Sequence, residues 1–342
     1  MQPVTSILHP NTPDQPALNP IITFDIKSAT GSARFDEYQE RFPQYGKNEP
    51  GLHYRIENRP VLTRPGIRES QSVLIICVFN DAASWGENRS IFDFFSLIES
   101  FDYPKEKISI ALLTSSMQEF DMIKKLFQSY ISQYSRLSVI FRNDFVQSGL
   151  TRGSNRHEVK LQANRRRMIA RYRNYALLLT METWHQHVLW VDADVKVIPP
   201  HLLRKMVLSG LDILTPICFS NFRGNWINYD QNAWVGQRLV RPTDQNDDDF
   251  LPGPLNVKLL DTVDDKSKPF APLDSVGATM LYVRADIHRQ GVLFPMHYVI
   301  GSEWGREGYD GIETEGLCYT AHFLGFKCWG MVNESIQHTD EI

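Results

Sequence analysis

His187-Val188-Leu189-Trp190-Val191-Asp192-Ala193-Asp194-Val195 is the stretch that decides the fold of this chain. Its apolar residues follow one another without alternation, which is typical of a strand buried on both faces, as the central strands of parallel sheets are. The two aspartates come directly after the apolar run. They therefore lie at the carboxyl end of the predicted strand, which is the edge where open α/β sheets bind their ligands.

The spacing of the two aspartates gives them a possible chemistry. Asp192 and Asp194 are residues i and i+2, whose side chains point the same way on an extended chain. Two such carboxylates can bind one hard divalent cation, or one can bind the cation while the other meets a sugar hydroxyl. An aspartate that caps a helix after a strand would give the same pattern. A buried strand precedes the pair and Pro199-Pro200 follows it. With this context, the ligand-binding interpretation and the helix-capping interpretation have about equal support.

Length and composition exclude several classes of protein. A chain of 342 residues can bury a large core, and a net charge of −4 argues against a general nucleic-acid binder. The sequence has neither an apolar run of about 18 residues nor a basic and apolar leader, so we expect no membrane anchor or secretory signal within it. The four cysteines form no Cys-x-x-Cys pair, which argues against a zinc site. Cys318 and Cys328 could pair if their predicted helix and strand pack together.

The chain divides into an arm and one domain. Residues 1–65 are rich in Pro, Asn, Thr and Gln with little periodicity, and we interpret them as an extended N-terminal arm or stem. Residues 66–342 alternate strand-sized apolar runs with amphipathic helices. The first strands are predicted over 72–79, 107–113 and 137–141, and the first helices over 90–101, 118–134 and 161–184. This alternation predicts an α/β fold with a doubly wound, mostly parallel sheet and helices on both faces.

Polar residues elsewhere in the chain could join the aspartates. Asn80-Asp81 follows the first predicted strand, where a loop can receive a ligand. The long helix over 161–184 carries Arg171-Tyr172-Arg173-Asn174, which is either a solvated basic face or a phosphate- and nucleoside-binding one. His338 directly follows the last predicted strand, over 327–331. It is either an exposed tail residue or a nitrogen ligand that folds back to the metal.

A long stretch from residue 218 to about 270 combines aromatic and polar residues. Trp226, Tyr229, Asp230 and Trp234 lie in it, and flat apolar rings beside carboxylates suit sugar rings and their hydroxyls. A loop of this length inside a compact domain is usually functional. We expect its acidic run at 247–249 to be a solvated turn rather than a second metal site.

At this point the chain resembles the fungal Golgi mannan-polymerase family of α-mannosyltransferases, over roughly residues 72–341. Six motifs carry the resemblance, and their common order makes it specific. They are Arg171-Tyr172-Arg173-Asn174-Tyr175-Ala176-Leu177-Leu178, Val188-Leu189-Trp190-Val191-Asp192-Ala193-Asp194 with Pro199-Pro200, Ile213-Leu214-Thr215-Pro216, Tyr229-Asp230-Gln231-Asn232-Ala233-Trp234, Val276-Gly277-Ala278-Thr279-Met280-Leu281 with Ala285-Asp286 and His288, and Ile312-Glu313-Thr314-Glu315-Gly316-Leu317.

The resemblance implies a GT-A glycosyltransferase that transfers mannose from GDP-mannose, with Mn²⁺ as its ion and with retention of configuration. The implied acceptor is a mannose-containing glycan, a mannan or an N-glycan outer chain in α-1,6 linkage. The implied location is the Golgi lumen, with other mannosyltransferase subunits as partners and no role for nucleic acid. The chain departs from the family in lacking a visible anchor, and Asn80-Asp81 matches the family's nucleotide-binding first loop only loosely.

The resemblance also implies roles for single residues. Asp192, Asp194 and His338 would hold Mn²⁺, and Asp192 would also meet the nucleotide sugar. Arg171 and Arg173 would bind the donor, with Asn174, Asn80 and Asp81 near the nucleotide. Asp230, Asp274 and Glu313 are the candidates for catalytic contact with the donor sugar or the acceptor. Retention needs either a nucleophilic carboxylate or attack from the face of departure, and the sequence leaves both open.

Two other functions fit the same pattern. A catalytically silent family member could bind and stabilise a partner transferase. A nucleotidyltransferase also uses paired aspartates on a doubly wound sheet, but it usually has a Gly-rich basic loop after its first strand. Asn80-Asp81-Ala82-Ala83 is not such a loop.

Overall fold

The computed structural model describes residues 25–26, 34–146, 159–236 and 257–339, with side chains from residue 34 and, after the first gap, from residue 161. The first 24 residues of the expected arm and the acidic run at 247–249 lie outside the described residues. The expected α/β class is confirmed. Strands and helices alternate between residues 51 and 191, where the apolar runs are strand-sized.

Fifteen strands are present among the described residues. In chain order they are β1 (Asp25–Ile26), β2 (Phe35–Phe42), β3 (Gly51–Asn58), β4 (Val73–Phe79), β5 (Ile108–Thr114), β6 (Arg136–Phe141), β7 (His187–Val191), β8 (Val195–Val197), β9 (Ile213–Phe222), β10 (Asn225–Asn228), β11 (Trp234–Gly236), β12 (Val257–Leu259), β13 (Phe270–Leu273), β14 (Met280–Arg284) and β15 (Cys328–His338).

Seven α-helices connect the strands of the described part of the chain. They are α1 (Arg59–Leu62), α2 (Ile91–Glu99), α3 (Met117–Tyr130), α4 (Val159–Thr180), α5 (Leu202–Leu208), α6 (Ala285–Arg289) and α7 (Thr314–Phe323). Ser90 caps α2 with its side chain, and Asp93 closes the reciprocal bond to the Ser90 backbone, which is why α2 begins where it does.

One large sheet organises the molecule. Its order is β1-β2-β3-β6-β5-β4-β7-β14-β9-β15-β13, with β10 paired to β9 and β8 paired to β15, while β11 and β12 form a separate pair. Strands β6, β5, β4 and β7 are mutually parallel. Antiparallel strands flank this parallel core, since β3 pairs with β6 on one side and β14 pairs with β7 on the other. Strand β7 is therefore central, as its unbroken apolar run predicts.

Helices cover both faces of the sheet. Val73, Ile75 and Cys77 of β4 point into a core shared with α2, α3 and α5. Leu74 and Ile76, the alternate residues of the same strand, point into a second core shared with α4, α6 and α7. Both faces of β4 are thus buried, which explains why its sequence shows no polar alternation.

The structure differs from the expected arm. Strands β2 and β3 pair with each other, and β3 continues the sheet beside β6, so residues 35–58 are part of the sheet and not of a separate stem. The polar composition of β2 conceals this, because a strand near a sheet edge keeps much of its surface in water. Its residues are mostly half-buried, whereas β3 alternates between buried and half-buried positions.

The end of the chain also differs from expectation. Strand β15 does not stop near residue 331 but continues to His338, with register shifts after Met331 and again at Gln337 and His338. It pairs with β9 along most of its length and with β8 at its end. The long stretch after residue 218 likewise begins as structure rather than loop, because β9 continues to Phe222 and returns as β10.

Two further findings concern the cysteines and the membrane. Cys318 and Cys328 form a disulfide that joins α7 to the start of β15, so the pairing that the sequence left open is present. None of the described helices is both long enough and apolar enough to span a bilayer.

Candidate functional site

The two aspartates lie in a tight turn at the end of β7. The backbone N–H of Asp192 donates to the carbonyl of Thr279 at 3.0 Å, which continues the pairing of β7 with β14 by one residue. The N–H of Val195 donates back to the carbonyl of Asp192 at 3.3 Å, so the chain turns at Ala193 and leaves as β8. Both carboxylates are thereby fixed at the carboxyl edge of the parallel core.

A cavity of about 200 Å³ opens at this edge. Its wall is formed by the ends of the central strands, by one face of α4 and by the aspartate turn. The lining residues are Val78, Phe79, Asn80, Ser84, Ser115, Val146, Arg165, Met168, Ile169, Tyr172, Arg173, Asp192, Ala193, Asp194 and Tyr229. The cavity is thus apolar on one side and charged at the turn, which is the usual composition of a ligand site.

On the side of α4, Asp192 is held by a buried guanidinium. Arg173 donates one hydrogen bond to Asp192 at 2.9 Å and another to Glu313, which lies directly before α7. Burial raises the pKa of Asp192 to about 6; the charges of Asp194, Glu313 and Asp230 act in the same direction and Arg173 opposes them. Glu313 adopts a φ of +57°, a conformation that non-glycine residues avoid unless their surroundings enforce it.

On the opposite side, Asp194 contacts the end of β15. Its Oδ1 lies 3.1 Å from Nε2 of His338. Nδ1 of His338 lies 2.8 Å from the carbonyl oxygen of Thr339, which can only accept, so Nδ1 carries a proton. Burial lowers the pKa of His338, but the hydrogen bond and charge of Asp194 outweigh it and the pKa is raised overall. Tyr229 stacks on the imidazole at 3.7 Å.

The donor atoms of Asp194 and His338 fit a divalent cation. With metal bonds of about 2.1 Å at right angles, adjacent ligands of an octahedral ion lie about 3 Å apart, close to the observed separation of 3.1 Å. The hydrogen bond to Asp194 places a proton on Nε2. A cation that displaced this proton would meet the Nε2 lone pair on the side of Asp194, while Nδ1 kept its own proton. The described residues contain no ready-made cluster of three or more His, Cys, Asp or Glu ligands. Two protein ligands fit an ion that takes its other oxygens from a bound diphosphate.

The arginines of α4 fall into different environments. Arg166 pairs with Glu315 at 2.6 Å, Arg167 pairs with Glu307 at 2.6 Å, and Arg173 pairs with Asp192 and Glu313. Arg165 is half-buried in the cavity wall and makes no ion pair with any residue that the structure describes. It is therefore the guanidinium of this helix that is placed to meet an anion in the cavity.

Asn80 and Asp81, in the loop after β4, have different roles. Asn80 lies in the cavity wall, as the sequence predicts. Its neighbour Asp81 accepts hydrogen bonds from the N–H of Ala83 at 3.0 Å and from the Asn80 amide at 2.6 Å, and so caps a short helical turn over 82–85. Asp81 does not line the cavity, and its carboxylate is used to shape the loop.

Two residues expected at the donor lie elsewhere. The guanidinium of Arg171 lies over the ring of Phe145 at 4.0 Å and does not line the cavity. The amide of Asn174 donates to the carbonyl of Phe294 at 2.8 Å and accepts from its N–H at 3.0 Å. Asn174 is buried and fixes the segment after α6, because both ends of its amide are engaged by one backbone residue.

Of the three catalytic candidates, Asp230 and Glu313 lie beside the aspartate turn and Asp274 does not line the cavity. Asp230 accepts from the N–H and the hydroxyl of Thr279, at 3.2 and 2.9 Å, next to the backbone that holds Asp192. A Cβ at Gly277 would lie 1.9 Å from an Asp230 oxygen, so this approach requires glycine there. Asp274 is exposed and accepts from the N–H of Gly236 at 2.7 Å.

Sequence reasoning missed Arg165 and gave Tyr229 no role at the metal. A signal for Arg165 was present, because residues seven positions apart share a helix face and Arg165 precedes Tyr172 by seven. Of the motif Arg171-Tyr172-Arg173-Asn174, Tyr172 and Arg173 line the cavity, and Arg171 and Asn174 do not. For Tyr229 the sequence held no signal, since its stacking depends on where β15 ends.

Comparison with known proteins adds family information. The family model described as Anp1 matches residues 53–297. The mannan polymerase complex subunit mnn9 of Schizosaccharomyces pombe is 26% identical over 318 residues, 86% of this chain and 88% of that protein. The mannan polymerase II complex anp1 subunit of the same yeast is 27% identical over 277 residues, 72% of this chain and 60% of that protein.

Among solved structures, a mannosyltransferase from Pyrobaculum calidifontis in complex with GDP-mannose and Mn²⁺ has a TM-score of 0.44 and 13% identity. The match covers 82% of this chain and 61% of that one. A superposition this loose does not locate a ligand in the present chain.

Proposed function

The chain belongs to the Anp1 family, and we propose that it is a metal-dependent, retaining α-mannosyltransferase that uses GDP-mannose. The observation that carries the proposal is the contact between Asp194 and His338. Asp194 lines the cavity that Arg165 also lines, and His338 ends the neighbouring strand β15. The acceptor that we propose is a mannan or N-glycan outer chain, extended in α-1,6 linkage. The names of the relatives, which are mannan polymerase subunits, support this choice.

Asp194 and His338 would bind Mn²⁺, with Asp192 beside them in the turn. A bound Mn²⁺ would neutralise the negative charge that develops on the departing diphosphate. The protein's contribution is to hold the two ligands at the right separation before the ion arrives. The hydrogen bond from His338 to the Thr339 carbonyl fixes the ring with Nε2 toward Asp194.

Arg165 and Asn80 would bind the nucleotide part of the donor. Arg165 is suited to a bidentate contact with the diphosphate, and its place in the cavity wall brings it to the same space as the aspartate turn. Asn80 can donate to or accept from a ribose or base. Arg173 has a different task, since it orients Asp192 and neutralises the buried carboxylates around it.

Asp230 is the carboxylate that we propose for contact with the donor sugar or the acceptor. It lies at the aspartate turn, and its oxygens accept from Thr279 rather than from a cation. Glu313 is committed to Arg173 and would act on the site through that residue.

The proposal is tested by measuring Mn²⁺-dependent GDP binding and mannosyl transfer by the purified chain. We expect GDP binding that disappears with a chelator and returns with Mn²⁺, and transfer from GDP-mannose to an α-1,6-mannobiose acceptor. GDP binding that a chelator leaves unchanged would contradict the assignment of Asp194 and His338. We further propose the Golgi lumen as the location and other mannosyltransferase subunits as partners.

A second function is favoured by the same relatives, because they are named as subunits of complexes. The chain could serve as a catalytically silent subunit that stabilises a partner transferase. A silent subunit would show neither hydrolysis of GDP-mannose nor transfer when isolated. It would raise the activity of a co-purified partner even when Asp194 is replaced by Ala.

A further inference from the structure

We propose that Gly86, Ser220 and Thr339 position His338 for the cation and thereby set the affinity of the protein for Mn²⁺. These three residues are here called the tail lock: Thr339 follows His338 in the chain, and Ser220 and Gly86 lie against Thr339. The inference rests on the proposed function, because it assumes that His338 is a metal ligand. It assigns a role in that site to residues that do not touch the ion.

The first part of the lock acts on the imidazole. The carbonyl of Thr339 accepts from Nδ1–H of His338 at 2.8 Å and from the hydroxyl of Ser220 at 3.1 Å. Ser220 is fully buried on β9, which runs parallel to β15. Its hydroxyl fixes the carbonyl that in turn fixes the ring, so Ser220 determines where Nε2 points. Partners of this kind typically change metal affinity by about 10- to 100-fold.

The second part of the lock joins the tail to the aspartate turn. The N–H of Thr339 donates to the carbonyl of Asp194 at 2.9 Å. His338 lies opposite Val195 in the pairing of β15 with β8. The two proposed ligands are therefore linked through the backbone as well as through their side chains, and a shift of Thr339 would move one ligand relative to the other.

The third part of the lock comes from the first loop. Gly86 has φ +95° and ψ 173°, a conformation that is essentially restricted to glycine. A Cβ built there would lie 2.7 Å from the Thr339 methyl carbon, so the missing side chain makes room for Thr339. Arg89, three residues further, donates to the carbonyl of Val195 at 2.7 Å. The loop that begins at Asn80 thus contacts β8 through Arg89 and the residue after β15 through Gly86.

The positioning role can be separated from a merely structural one. If the lock acts through His338, its variants should weaken Mn²⁺ binding in the otherwise unchanged protein but not in a His338→Ala background. If the lock only stabilises the fold, the loss should be the same in both backgrounds.

The experiment titrates Mn²⁺ in the presence of GDP, by calorimetry and by the Mn²⁺ electron paramagnetic resonance signal, with thermal unfolding measured in parallel. The test variants are Ser220→Ala and Gly86→Ala. The matched controls are Ser135→Ala, a buried serine whose hydroxyl donates to the Ile108 carbonyl at 2.8 Å, and Gly210→Ala, a glycine with φ +69° and nothing within 4 Å of its Cβ position.

We expect Ser220→Ala to weaken Mn²⁺ binding by about tenfold and Gly86→Ala by at least as much, while both controls keep the affinity of the unchanged protein. Adding Thr339→Ser to Gly86→Ala should restore part of the loss, because it removes the methyl group that the new Cβ meets. In the His338→Ala background, neither lock variant should cause a further loss.

Unchanged Mn²⁺ affinity in a folded Ser220→Ala variant would overturn the inference, even if Gly86→Ala does not fold. Equal losses with and without His338 would overturn it as well. Absence of Mn²⁺ binding in the unchanged protein would instead overturn the proposed function, and the inference with it.

Discussion

The two sides of the aspartate turn use the same residue type in different ways. Asp192 lies against α4 and is paired with Arg173, a buried cation that the protein itself supplies. Asp194 lies against β15 and faces an imidazole nitrogen of His338. The partner of the first carboxylate is a permanent cation, and the partner of the second is an imidazole whose proton a metal ion can displace. An Asp-x-Asp motif therefore need not be a symmetrical metal clamp.

The two sides of the turn should respond differently to the loss of a charged group. A buried guanidinium with two carboxylate partners is stable only while all members remain, because loss of one leaves an unpaired buried charge. The proton that His338 shares with Asp194 can be released, and a cation can take its place between the two side chains. We therefore expect the Asp192 side to matter most for stability and the Asp194 side to matter most for metal binding.

The largest effect is expected for Asp194→Ala. The variant removes one of two proposed protein ligands, so Mn²⁺-dependent GDP affinity should fall by about 100-fold or more. Calorimetry measures the affinity, and circular dichroism checks that the fold is kept. Asp264→Ala is the matched control, since that aspartate is exposed and its ion pair among the described residues is with Lys258. Undiminished GDP affinity in Asp194→Ala would remove Asp194 from the site.

Arg173→Ala should have the largest effect on stability. It leaves Asp192 and Glu313 without their cation, and breaking such a pair costs about 3–5 kcal/mol of unfolding free energy. Urea unfolding measures the change. Arg204→Ala is the control, because its pair with Asp102 is exposed and should contribute less than about 1 kcal/mol. If Arg173→Ala lost no more unfolding free energy than Arg204→Ala, the pairs of Arg173 with Asp192 and Glu313 would not stabilise the fold as expected.

The contrast between the two sides also shows what the sequence can predict. The α/β class and the central place of β7 could be predicted because a strand buried on both faces has no polar alternation. The position of His338 near the aspartates was anticipated from its place after the last strand, although the strand itself continues to His338. That place left two interpretations, an exposed tail residue or a metal ligand, and the structure shows a buried His338 in contact with Asp194.

Other features could not be read from the sequence. The polar strand β2 hides its pairing because a strand near the sheet edge need not be apolar. The roles of Arg165, Arg171 and Asn174 depend on the rotation of α4, and a helix with charged residues on several faces does not reveal its rotation. The use of Asp274 depends on Gly236, which is distant in sequence. These contacts are set by tertiary packing and not by local pattern.

Arg165→Ala should separate binding from stability on the α4 side. Arg165 makes no ion pair with a described residue, so we expect the unfolding free energy to change by less than about 0.5 kcal/mol. Loss of a charged hydrogen bond to the diphosphate should weaken GDP binding by about tenfold. Arg171→Ala, two turns along the same helix, serves as control and should bind GDP normally, since its guanidinium lies over Phe145. A stronger effect for Arg171 would reverse the assignment.

The smallest effect is expected from pH. Burial raises the pKa of Asp192 to about 6, so most of this carboxyl is ionised at pH 7.5 and a smaller fraction at pH 5.5. If the metal site uses the charged form, Mn²⁺-dependent GDP affinity should be lower at pH 5.5 than at pH 7.5, by less than about tenfold. Because the raised pKa keeps the native carboxyl protonated where the unfolded one is not, its contribution to stability without metal falls as pH rises from about 4 to 6.

Calorimetry at several pH values measures the trend in GDP affinity, and unfolding at the same pH values measures the trend in stability. Asp192→Asn should show neither trend. A variant with the same pH profiles as the unchanged protein would assign the trends to another group, of which His338, whose pKa is also raised, is the first to test.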